Sequence, residues 1–122
     1  MEPTIEETRI INAVGKNMNL VASESEYIVR GVVTSINSYP KTVSNGRSLI
    51  YSDVEFNVTK VLSGKLEPGP ILINIAGGEI NGVKLEVSSM PKFKMGQDSI
   101  LYLKKIGNTW KVTRGNLGKV NI

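Results

Sequence analysis

From Tyr27 onward the chain alternates apolar and polar residues with a period of two, the pattern of strands buried on one face. YIVRGVVTSI puts Tyr27, Val29, Gly31 and Val33 on one face and Arg30 and Thr34 on the other. Gly31 inside such a run predicts a bend or a close backbone approach. SYPKTVSNGRS follows, with Pro40 and Asn45-Gly46, and reads as a long exposed hairpin loop. In YSDVEFNVTKVL the apolar positions are Val54, Phe56 and Val58, until Lys60 takes the apolar parity and Val61 and Leu62 follow. A slip of one residue within a strand predicts a β-bulge and a strongly coiled strand.

ILINIAGG is nearly continuous in apolar residues and predicts a strand buried on both faces. Asn81-Gly82 predicts a tight turn before Val83, Leu85 and Val87. SSMPKFKMGQD reads as a second exposed connection. SILYLKKI and NTWKVTRG pair across Gly107-Asn108, and GKVNI adds a short last strand. Ahead of the strands, residues 1–16 show no clear period and form a partly flexible leader. In NMNLVASESE, Asn17 or Asn19 caps a short helix that turns Leu20 and Val21 inward and ends near Ser25.

The strand spacing, without βαβ alternation, predicts an all-β, OB-like closed antiparallel barrel of five to seven strands, with one short N-terminal helix. Residues 17–122 make up that single domain, and a chain of 122 residues is long enough for one core.

Composition narrows the chemistry. The chain holds neither cysteine nor histidine. This removes disulfides, thiolate or imidazole zinc sites, and nucleophile–histidine pairs, so a non-enzymatic role without a cofactor is expected. No apolar run reaches the roughly 18 residues of a membrane span. Residues 1–26 carry five glutamates against Arg9 and Lys16, a net of −3, while the remainder carries +7. The lysines are scattered along the strands, as on an ordinary solvated surface, although a basic barrel also attracts polyanions.

The element order together with particular residues resembles the netrin-like module, the OB-type barrel of the tissue inhibitors of metalloproteinases. It resembles more closely a set of uncharacterised bacterial and archaeal cell-surface domains. The residues concerned are Ile28-Val29-Arg30-Gly31, Val61-Leu62-Ser63-Gly64, Gly77-Gly78, Gly82, Pro91, Phe93, Gly96 and Leu101-Tyr102-Leu103. The resemblance covers about residues 18–115. It implies an extracellular or cell-envelope setting, on the assumption of a signal segment removed upstream, and an unidentified protein or surface ligand as partner. The inhibitors act through an N-terminal cysteine; this chain has none, so that mechanism is not carried over.

Four sets of residues are candidate sites. Tyr39, Lys92, Phe93 and Lys94 offer a ligand surface, and Pro91 to Lys94 with Tyr102 and Trp110 an aromatic and basic face for single-stranded nucleic acid. The plainer reading has Phe93 plugging the barrel end. Arg30 is expected to pair with Asp53 or Glu55 across the sheet. The same two carboxylates lie two apart on one strand face, close enough to hold a cation or act as an acid–base pair, but more simply solvated. Asn57-Val58-Thr59 is a candidate glycosylation site with Asn57 pointing outward. GGEING lacks the lysine and helix of a phosphate loop and reads as a hairpin. ILINIA and SILYLKK are apolar enough to add strands from another chain. The leading expectation is a non-enzymatic extracytoplasmic binding module. The alternative is a cytoplasmic OB-type binder of single-stranded nucleic acid, and a hydrolase relying on carboxylates alone stands third.

Overall fold

The computed structural model describes residues 3–5, 7 and 25–122. The strands are β1 (Tyr27–Thr42), β2 (Ser48–Ser63), β3 (Gly69–Ala76), β4 (Gly78–Ile80), β5 (Val83–Leu85), β6 (Asp98–Ile106), β7 (Thr109–Val112) and β8 (Lys119–Asn121). The helix expected from Asn17 or Asn19 to near Ser25 falls, Ser25 apart, outside the described residues, as does most of the 1–16 leader.

β1, β2 and β3 form an antiparallel meander; β3 then lies beside β7, β7 pairs with β6, and β6 returns to β1. These five strands close an OB-like barrel, and β8 extends the β7 side of β6 through Ser99↔Asn121 to Leu101↔Lys119. The barrel is mixed, not purely antiparallel as expected. A ring of five strands cannot alternate direction all the way round, so at least one neighbouring pair must run parallel. That pair is β3–β7, and its only register contact is Ile73↔Trp110. β4 and β5 form a separate hairpin between β3 and β6, turning on Asn81 and Gly82 with φ of 49° and 80°.

The core holds Val29, Val33, Val54, Phe56 and Val58, which the alternation places inward, together with Ile73, Leu101, Leu103, Trp110 and Val112. Tyr27 meets Trp110 edge to face with ring centroids 5.1 Å apart. Between β1 and β2 the register shifts at Ile28/Val29, Arg30/Gly31 and Val33/Ser35. The second shift leaves Thr59 without a register partner, which is the parity slip read at Lys60. These bulges give the two long strands the twist that closure demands.

Three expectations are corrected. First, SYPKTVSNGRS is mostly strand: Tyr39↔Tyr51 through Thr42↔Ser48 stay paired, and only residues 43–47 turn. Val43 N–H donates to the Arg47 carbonyl at 2.8 Å, so by alternation Pro40 sits where its nitrogen faces the free edge and no ladder bond is lost. Second, β3 is buried on one face only, because Ile71, Ile73 and Ile75 pack inward while Leu72 is 56% exposed. The strand buried on both faces is β6, whose Ile100 and Tyr102 join Ile28 and Leu62 in a second cluster. β6 is also paired along both edges, so SILYLKK presents no open edge.

The third correction concerns Arg30. In register it lies opposite Lys60, whereas Asp53 lies opposite Asn37. Arg30 therefore does not reach Asp53 or Glu55. Its guanidinium donates to both Asp98 oxygens at 3.2 and 2.9 Å and to Glu7 Oε2 at 2.8 Å. Lys60 Nζ donates to Glu7 Oε1 at 2.8 Å, so one carboxylate joins two strands. Glu7 is positioned by Thr4, whose amide donates to Glu7 Oε1 while the Glu7 amide donates to Thr4 Oγ1, a capping box.

Candidate ligand-binding site

β1 pairs with β6 only from Tyr27 to Val32, so the rest of β1 runs beyond the closed barrel alongside β2. On the inner parity of this extension lie Ile36 and Ser38 on β1 and Ser52 and Val54 on β2, with Ile75 on β3. The chain then leaves β3 through Gly77 and Gly78 and folds back over that inner face. A Cβ on Gly78 would stand 2.4 Å from both Ser38 Oγ and Ser52 Oγ, so only glycine passes. The crossing is tied down by Ser52 Oγ, which donates to the Gly77 carbonyl at 2.7 Å and accepts from Ser38 Oγ at 2.7 Å. Ser52 is 1% exposed. Ser52→Ala is expected to lower stability by about 1–2 kcal/mol, read by urea unfolding, because the buried Gly77 carbonyl loses its donor.

The crossing and the connection that follows β5 leave a groove of about 500 Å³ at the barrel mouth. Ile36, Val54 and Ile75 form its floor, and Leu85, Val87 and Phe93 form the opposite wall. Lys84, Lys92 and Lys94 and the carboxylates Glu79 and Glu86 also line it. Lys84 and Glu86 pair at 2.9 Å. The hydrogen bond from Lys84, followed by the charges of Lys84 and Lys92, holds the Glu86 carboxyl below its usual range. Among the described residues, Lys92 and Lys94 have no carboxylate within ion-pair distance.

Of the sequence-predicted ligand surface, Lys92, Phe93 and Lys94 come together at this groove. Phe93 is half-buried, packs on the core and carries Lys119 Nζ 5.4 Å from its ring centroid. One face of its ring is taken by Lys119 while the side chain lines the groove. Tyr39 is not part of the groove. It has the opposite parity and joins a network on the outer face of the sheet.

In that network Asn74 Nδ2 donates to Tyr39 Oη at 2.8 Å and to Asp53 Oδ1 at 3.1 Å, and Lys111 Nζ donates to Asn74 Oδ1 at 2.8 Å. Burial and the Asp53 charge push the Tyr39 hydroxyl above its ordinary pKa. Glu55, two residues along from Asp53, accepts instead from Thr34 Oγ1 at 2.7 Å. The two carboxylates are thus engaged by different partners, and no group of three metal-ligating side chains occurs among the described residues. Asn57 lies on this same outer parity, between buried Phe56 and Val58.

Sequence reading missed Ile36, Ser38, Ser52 and Ile75 as groove residues, and Tyr51, Asn74 and Lys111 on the outer face. The usable signal was Gly77-Gly78 directly after an apolar strand, which marks a close backbone crossing. No family model, curated protein or solved structure matches this chain, so its likeness to known proteins goes no further than the OB-like course of its strands.

Proposed function

We propose that the protein is a non-enzymatic binding module working outside the cytoplasm, and that the barrel-mouth groove takes its ligand. The observation that carries this reading is an apolar floor beneath a lysine rim, in a groove of about 500 Å³. Pockets of roughly 300–1,000 Å³ are typical of small-molecule sites, and barrel mouths are a common location for them. The floor hydroxyls of Ser38 and Ser52 are bonded to each other and to backbone, which suits a holding role better than a reacting one. The ligand matching such walls is an amphipathic molecule with an anionic group, its apolar part on Ile36 and Val54 and its charge towards Lys92 and Lys94. The extracytoplasmic setting rests on the netrin-like and cell-surface resemblance.

The anionic amphipathic dye 8-anilinonaphthalene-1-sulfonate tests the site. Saturable binding to the native protein is expected, with Ile36→Lys weakening it at least tenfold and leaving the near-ultraviolet circular dichroism native. Ile36 is 39% exposed, so a lysine is tolerated there while it fills the groove. Binding unchanged in Ile36→Lys overturns the assignment. Fractionation of the native host tests the setting, and recovery solely from the cytosol counts against it. In that event, oligonucleotide binding that falls steeply with salt would support the alternative, a cytoplasmic single-strand binder.

A further inference from the structure

β3 and β7 touch in register only at Ile73↔Trp110, and past that point the seam between them opens. A second cavity of about 280 Å³ occupies the gap. Its wall includes outer-parity residues (Tyr51, Asn74 and Lys111) together with inner-parity Ile75 and Val112 and the connection residue Pro91. The cavity therefore runs from the sheet's outer face towards the core. It has an apolar inner part and one polar end. The Met90-Pro91 segment lines both this cavity and the barrel-mouth groove.

Lys111 dominates the polar end. Its ammonium donates to the neutral Asn74 amide, and no carboxylate lies within ion-pair distance of it among the described residues. The Asn74 amide is held in one orientation, because its nitrogen is committed to Asp53 and Tyr39. Asp53 is near enough to favour the Lys111 charge, but its Oδ1 is already taken up by Asn74 and Tyr39. A second cation stands close by: Lys41 Nζ lies 5.1 Å from the Tyr51 ring centroid. Burial and then the Lys41 charge lower the Lys111 pKa. A partly buried cation beside another cation, facing a cavity without a contacting counter-ion, is stabilised by an anion entering that cavity.

We propose that the seam cavity is a second binding site, for a small monocarboxylate with a short aliphatic tail. Its carboxylate pairs with Lys111, Lys41 adds attraction at the entrance, and the tail lies between Ile75, Pro91 and Val112. This site does not rest on the barrel-mouth reading, although Ile75, Ala76, Met90 and Pro91 line both spaces.

The test uses the full chain, isotope-labelled, with hexanoate as the probe and amide shifts as the readout. Hexanoate is expected to give saturable shifts at Tyr51, Asn74, Lys111 and Val112. Hexanol and hexylammonium should bind at least tenfold more weakly. Lys111→Met should weaken hexanoate at least tenfold, Lys111→Arg less than threefold, and Lys41→Met about threefold. Ile36→Lys should have no effect. Should Lys111→Met not fold, Lys111→Arg and Lys41→Met still decide the matter through charge. Hexanoate shifts confined to the barrel-mouth groove, equal binding of hexylammonium, or affinity unchanged in both methionine variants overturns the proposal.

Discussion

Gly31→Ala is expected to destabilise the fold by about 3 kcal/mol, at the upper end of what overpacking costs. In a domain of this size that lowers the melting temperature by on the order of 10 °C. The reason is local and steric. A Cβ on Gly31 would stand 2.2 Å from the Asn57 carbonyl oxygen, 2.9 Å from its carbonyl carbon and 2.7 Å from Phe56 Cε2. The contacts to Asn57 are with the backbone of the paired strand, which cannot swing away as a flexible side chain would. β1 is pressed between β2 and β6 at this point, since Gly31 pairs with both Val58 and Ser99. Relief would require moving β2 outward and opening the barrel beside Phe56, which is fully buried. Thermal unfolding followed by circular dichroism checks this, and a loss below about 1 kcal/mol would mean that the strands are not so closely apposed.

The second large effect is electrostatic and sits at Glu7. Burial alone would raise its carboxyl, but hydrogen bonds from Lys60 and Arg30, helped by the Thr4 amide, hold it down at about 2, below the 4.5 of a free glutamate. The carboxylate is 1% exposed, so solvent does little to screen it. Each pKa unit is worth about 1.4 kcal/mol, so the ionised form adds about 3 kcal/mol to stability. Because the folded value is the lower one, that contribution is complete above about pH 4.5 and disappears as the pH falls towards 2. Glu7→Gln should cost about 3 kcal/mol at neutral pH, since it leaves Lys60 unpaired and Arg30 with only Asp98. The variant should also lose most of the stability slope between pH 4.5 and 2. Urea midpoints at pH 7 and pH 3 measure both, and parallel pH profiles for the two proteins would contradict the role given to Glu7.

Much of the barrel was legible in the sequence because its strands are half-buried. Val54, Phe56 and Val58 announce their face by alternation, and the displaced Lys60 announces the bulge. Burial on both faces was harder to read. ILINIA and SILYL look alike in composition, yet Leu72 is exposed while Tyr102 is covered. Coverage of the outer face depends on what packs there, Ile28 and Leu62 in one case, which no local pattern encodes. The extent of the β1–β2 hairpin was misjudged because Pro40 reads as a breaker. It is harmless where its nitrogen faces a free edge.

The candidate sites follow the same division. Lys92, Phe93 and Lys94 are contiguous, so their proximity was readable, but Tyr39 belongs to the other face once the Thr34 bulge has shifted its parity. The partner of Arg30 was misassigned because register through three bulges cannot be counted from one strand alone. Asp98 and Glu7 come to it from opposite ends of the chain. The Thr4-to-Glu7 capping box was the one available sign that the start of the chain is anchored.

The most direct test of the groove as ligand site is amide shift mapping of the native protein with 8-anilinonaphthalene-1-sulfonate. Shifts are expected at Ile36, Ser52, Val54, Ile75, Gly78 and residues 84–94, the two sides of the barrel mouth. Shifts concentrated instead on the outer face, at Tyr39, Asp53 and Leu72, would contradict the account and move the ligand surface to the other side of the sheet.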